Sequence, residues 1–182
     1  SSSLDGGIDG TTVTNGEIQL SWDLFKSTED VDVNLLITGP ANVTNAKYVI
    51  QVIAEPRKDA IAFVSPQKSD VVDTASITAS TIAVADYFET FPSTSYAVAD
   101  SGWKYMYDKY NDVFRWIPLN GDIAGMCART DADRATWFSP GGFTRGQVSN
   151  VVRLAYNPRQ ADRDILYQAR INPVVTFPGE GT

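Results

Sequence analysis

The chain has 182 residues, a net charge of −7, one cysteine and no histidine. That length holds one sizeable core. The single Cys127 excludes an intramolecular disulfide and a multi-cysteine zinc site, and the missing histidine excludes Ser-His-Asp and Cys-His devices and histidine-ligated metal.

The acidic total argues against non-specific nucleic-acid binding, which needs a basic footprint. No apolar run reaches the eighteen residues of a membrane span. The opening SSSLDGGIDGTT lacks a Met and the basic and apolar regions of a signal peptide, so the chain is expected to be a fragment or a processed product. Residues 1–16, rich in Ser, Gly, Asp, Thr and Asn, are expected to form a flexible lead-in to a single α/β domain over 17–182. Within them, DGGIDG lacks the ligand ladder and closing Glu of a calcium loop.

EIQLSWDLF has a mixed pattern and takes no assignment. Val33 to Ile37 (VNLLI) is an apolar run that fits a strand covered on both faces. A helix is expected from about Val43 to Glu55, with Val43, Ala46, Ile50, Ile53 and Ala54 at helical spacing, Asn42 as its cap and Pro56 helping to end it. AIAFVSP (Ala60 to Pro66) is a second buried strand. A second helix, roughly Ser76 to Glu89, places Ile77, Val84, Phe88 and Phe91 on one side. SYAVAD (Ser95 to Asp100) is a third strand. The alternation predicts an α/β fold: a mainly parallel sheet with helices on both faces.

Next comes GWKYMYDKYNDVFRW, Gly102 to Trp116, with six aromatic residues. WKYMY and VFRWI alternate around a turn-type DKYND, the pattern of a β-hairpin added to the sheet. Trp103, Tyr105 and Tyr107 share one face of its first strand; Phe114 and Trp116 share a face of its second. Lys104, Lys109 and Arg115 interleave with the rings. Three roles stay open: core packing, an interface with another protein, or a stacking platform for bases or sugars.

A third helix, about Leu119 to Arg129, carries Leu119, Ile123, Met126 and Cys127 on one side, with Cys127 as a small buried hydrophobe. SPGGFTRG (Ser139 to Gly146) is a loop. It lacks the Lys-Ser/Thr and the strand-to-helix setting of a phosphate cradle, and Arg145 is its only helpful charge. VVRLAY is a short strand. A fourth helix starts near Pro158 with Asp162 and Asp164 at its head and Arg170 at its end. NPVVTF enters a last strand.

Charge is unevenly spread. Residues 1–100 carry fourteen acids against five bases, and residues 101–182 eight against ten. The two halves therefore suit contacts between copies, as well as plain solvation. A competing reading is a degenerate hydrolase-like or phosphate-binding enzyme using Ser139, Arg145 and Asp100, which ends a strand where α/β enzymes place reactive groups.

Three blocks carry a family resemblance: SWDLFKSTEDVDVNLLITG, DSGWKYMYDKYNDVFRWIPLNGDIAGMCARTD and TWFSPGGFTRGQVSNVVRLAYNPRQADRDILYQARINPV. They span most of residues 21 to 174 and are similar to the tail sheath proteins of contractile-tailed bacteriophages. The resemblance implies a non-enzymatic virion subunit, assembled in the host cytoplasm into hexameric rings stacked around a tail tube. On host contact the stack shortens and drives the tube through the envelope. It implies a core domain related in topology to subtilisin-type folds, in a longer chain whose terminal arms mesh neighbouring subunits. It implies no cofactor, no small-molecule substrate and no nucleic acid. With those arms missing, the isolated chain is expected to be monomeric. Trp103, Tyr105, Tyr107, Lys109, Arg115, Trp116 and Arg145 are the candidate structural or interface residues.

Overall fold

A computed structural model describes residue 10 and residues 12–143, 145–179 and 181–182. Most of the expected lead-in, with DGGIDG up to residue 9, lies outside them. The chain first forms helix α1, Asn15–Asp23, where the sequence pattern gave no assignment. Its signal is Thr14-x-x-Glu17: the Thr14 side chain accepts from the Glu17 amide and the Glu17 carboxylate accepts from the Thr14 amide at 2.8 Å, a capping box.

Strands β1 (Leu35–Ile37), β2 (Ile61–Val64) and β3 (Ala97–Ala99) form a parallel sheet in that order. Between β1 and β2 run α2 (Val43–Tyr48), a π-helical stretch (Val49–Ala54) and α3 (Glu55–Arg57). Asn42 caps the start, accepting from the Asn45 amide at 2.9 Å. Pro56 does not end the helix. The wider π turn, in which the Glu55 amide donates to the Ile50 carbonyl, carries the chain past a residue with no N–H to offer, and Lys58 in the left-handed region closes it. A short α4 (Lys68–Val71) and the long α5 (Ile77–Glu89) connect β2 to β3.

Register decides which side chains meet. Leu36 lies beside Ala62, and Val64 beside Ala99, so these residues share one face. Together with Val49, Ile50, Ile53, Val84, Phe88, Leu166 and Ile171 they form the main core. Phe63 points to the opposite face, where α6 (Asn120–Asp133) packs on β1 and β2. Ile37 and Ile61 also point there and are 46% and 37% exposed, so β1 is not covered on both faces as its apolar run suggests.

The expectation of a mainly parallel sheet holds in part: this sheet is wholly parallel, but a second one is antiparallel. Strands β4 (Trp103–Asp108) and β5 (Val113–Pro118) form the expected hairpin, but they join β6 (Arg153–Leu154) in a separate antiparallel sheet ordered β5-β4-β6. The turn Asp100-Ser101-Gly102 swings the chain out of the parallel sheet; the Asp100 carboxylate accepts the Gly102 amide at 2.9 Å, an Asx turn. Nor does NPVVTF enter a last strand. After α7 (Gln160–Gln168), Asn172 makes one parallel bridge to Asp100, and Pro173 has no N–H with which to continue the ladder.

Candidate interface: the aromatic hairpin and the arginine cleft

The hairpin's pairing brings its rings together. Tyr105 lies opposite Trp116 and Tyr107 opposite Phe114. The ring centroids are 4.8 Å and 5.2 Å apart, and Tyr105 also stacks on Phe114 at 5.4 Å. Such pairs contribute roughly 0.2–1 kcal/mol each. Arg153, supplied by β6, lies 5.2 Å from both the Tyr105 and Trp116 ring centres. The faces of these two rings are therefore spent on each other and on a guanidinium, which argues against a free stacking platform.

Burial grades along the hairpin. Trp103, at its root, is 6% exposed and donates its indole N–H to the Pro66 carbonyl at 2.8 Å. Trp103→Phe keeps most of the ring and leaves that carbonyl unpaired. The expected cost is about 1–2 kcal/mol in urea unfolding, and a loss below a few tenths would show that the bond adds nothing. Lys104 is also buried, donating to Asp122 at 2.8 Å and to the Ser149 carbonyl at 3.0 Å, so it is not one of the surface cations among the rings. At the far end Tyr107, Val113 and Phe114 are exposed, and Tyr110 is 86% exposed with Lys109 over its ring.

Asp108 organises this tip. It accepts from the Tyr110 and Asn111 amides, from the Asn111 side chain at 2.7 Å and from Arg115 at 3.0 Å. Those bonds, led by the Asn111 side chain, hold its carboxyl below the usual range. Asp112, in the left-handed region, completes the turn and accepts from the Tyr107 hydroxyl.

The residues of the enzyme reading do not converge. Asp100 is sealed in, bonded to the Ser65 hydroxyl at 2.6 Å and to the Gly102 amide. Burial pushes its carboxyl up to about 7, against the pull of those two bonds. Ser139 lines an apolar cavity of about 570 Å³ with Val98, Ile123 and Met126. Arg145 lines a different cleft of about 430 Å³ with Arg129, Thr130, Asp133 and Arg134. Cys127 is half-buried, and burial together with Asp131 pushes its thiol up, away from reactivity. Among the described residues, no helix is long and apolar enough to cross a membrane.

Of the candidate residues, Tyr105, Tyr107 and Trp116 come together in one ring cluster, Trp103 anchors it, and Lys109 and Arg115 sit at its tip. Arg145 belongs to the cleft at the end of α6. Arg153 and the buried state of Lys104 went unseen in the sequence; the alternation of VVRLAY, which puts Arg153 on one face of a strand, is the available signal for the first.

The fold is shared with a chain in the cryo-EM structure of the anti-feeding prophage (AFP) baseplate, 6-fold symmetrised. The TM-score is 0.61 at 16% identity, over 92% of this chain and 40% of that one. The chain belongs to the family described as phage tail sheath protein central domain, whose model matches residues 11–182. It is 42% identical to the tail sheath protein of Enterobacteria phage T4, over 98% of this chain and 29% of that protein. It is 43% identical to the tail sheath protein of Vibrio phage KVP40, over 87% of this chain and 26% of that protein. The tail sheath protein of Salmonella phage ViI is 32% identical over 98% of this chain. The chain thus spans less than a third of the length of these curated relatives.

Proposed function

We propose that this chain is the central part of a contractile tail sheath subunit, working in the virion through its interfaces and not by catalysis. Residues 17–182 form one core domain of a longer subunit, with residues 1–16 as a lead-in. Six subunits make a ring, rings stack around the tail tube in the host cytoplasm, and the stack later shortens to drive the tube through the envelope and deliver the genome. The energy resides in the assembled lattice, with no cofactor or small-molecule substrate. The family match over residues 11–182, with 42% identity to a tail sheath protein, carries this reading.

Within that subunit the hairpin divides its labour. Its root, with Trp103, fastens it to the core. Its tip, with Tyr107, Tyr110, Phe114, Lys109 and Arg115, faces a neighbouring subunit. Aromatic and arginine side chains are what protein interfaces concentrate.

Negative-stain microscopy of the full-length protein that contains this segment tests the reading. Tubes of six-fold rings in a long and a short form are expected. Dispersed particles at every salt and protein concentration would overturn it. The isolated segment is expected to sediment as a monomer and form no tubes.

A further inference from the structure

At the carboxyl-terminal end of α6, Arg129 and Arg134 extend into solvent, and Arg145 reaches the same cleft from the following loop. Arg145 lies over the Phe138 ring at 5.4 Å, and its Nε is buried with no hydrogen-bond partner among the described residues. Among the described residues, the Arg129 side chain donates only to the Arg145 carbonyl. Asp133 lines the cleft too, yet no ion pair joins it to any of the three arginines among the described residues. Trp137, 79% exposed, packs on the same Phe138 ring, with centroids 4.4 Å apart. Three guanidinium groups without an ion pair among the described residues, linked through Phe138 to an exposed tryptophan, have the composition of an interface centre.

A surface of matching chemistry lies near the other end of the chain. Glu29, Asp30 and Asp32 are exposed and form no ion pair among the described residues. Their loop is held in place from beneath: the buried Arg57 guanidinium donates to the carbonyls of Phe25, Ser27 and Val31 at 2.7, 3.0 and 2.9 Å. Next to it, Leu20 and Leu24, one helical turn apart, are exposed. Acidic groups on a pre-ordered loop, with two leucines alongside, complement arginines with a tryptophan alongside, and little entropy is lost in docking an ordered loop. The two surfaces do not pair within one chain, so the contact they make is head-to-tail between copies, which repeats from subunit to subunit.

We propose that a second copy of this chain docks its acidic segment Glu29–Asp32 into the cleft formed by Arg129, Arg134 and Arg145; this rests on the sheath reading above. Charge swapping in the full-length protein tests it. The readout is the protein concentration at which assembly begins, followed by sedimentation and microscopy. Wild-type protein is the first arm, and its failure to assemble would overturn the sheath reading itself. R129E/R134E, and separately E29K/D30K/D32K, are each expected to raise the onset concentration by about tenfold or more through like-charge repulsion. Combining the two sets is expected to restore it to near the wild-type value. The gentler pair R134E and D30K, at exposed side chains with no side-chain bond among the described residues, repeats the test with least risk to folding. An unchanged onset in the single sets, or no recovery in the combination while wild type assembles, would overturn the docking. The coupling is also expected to vanish in 1 M salt, where the screening length falls to about 3 Å.

Discussion

Replacing Arg57 by alanine is expected to cost about 3–5 kcal/mol, because it leaves three inward-facing backbone carbonyls without their donor and empties a buried side-chain site. The Arg57 side chain is fully buried, and its guanidinium makes five hydrogen bonds: three to the backbone carbonyls of Phe25, Ser27 and Val31, and two to Asp59 at 2.9 and 3.0 Å. Domains are stable by about 5–15 kcal/mol in total, so this one change spends a large share of the margin. Lysine is no substitute, since a single ammonium lacks the planar fork that spans three carbonyls and a carboxylate. Asp59→Asn should cost far less, because that carboxylate is 38% exposed and its pairing is screened. Urea unfolding of the four proteins provides the comparison. Amide exchange in residues 25–34 should speed up in Arg57→Ala before global unfolding. A loss below 1 kcal/mol would mean that the loop is held by something other than this guanidinium.

Asp100→Asn is expected to stabilise the protein at pH 8 and to leave it unchanged near pH 4. The Asp100 carboxyl is buried with no ion pair among the described residues, and desolvation lifts it to about 7. Its unfolded value is about 3.9. A group raised in the folded state contributes its stability in full below the unfolded value, and loses it as pH climbs through the folded value. The window is therefore about pH 4 to 7, and at 1.36 kcal/mol per unit the difference between the proteins at pH 8 approaches about 4 kcal/mol. The amide fits the neutral acid's place: its oxygen accepts from Gly102 and its N–H₂ donates to the Ser65 hydroxyl, which already accepts the Asn120 amide at 3.0 Å. Below pH 4 both proteins should weaken alike, since Glu17, Asp23 and Asp108 have carboxyls held low by hydrogen bonds and lose those bonds on protonation. Wild-type and Asp100→Asn stability curves that run parallel from pH 4 to 8 would show that the carboxylate ionises in place without penalty.

The parts of the fold that showed in the sequence are those with a local cause. Asn42 and Ser76 cap the helices they precede, Val84 and Phe88 line the buried side of α5, and the alternation from Trp103 to Pro118 is the observed hairpin. What escaped depends on distant partners. Whether the hairpin joins the parallel sheet or makes its own is decided by β6, some fifty residues away in the chain, pairing with Lys104 and Tyr105. The importance of Arg57 is invisible because its carbonyl partners lie far back in the chain and any residue supplies a carbonyl. Lys104 looked like a surface cation among rings, and only the approach of Asp122 and Ser149 shows otherwise. Helix α1 has a local cause too, the Thr14-x-x-Glu17 capping box, but its mixed apolar pattern has no helical periodicity to go with it.

The single bridge from Asp100 to Asn172, stopped by Pro173, bears on crowding. A parallel sheet offers its unpaired amides and carbonyls to any neighbour, and identical chains at high local concentration are the neighbours best matched to take them. Here that edge ends after one residue in a proline, and the opposite edge, β1, is only three residues long. The parallel sheet thus gives a second copy little backbone to extend, and contacts made at that sheet fall to side chains.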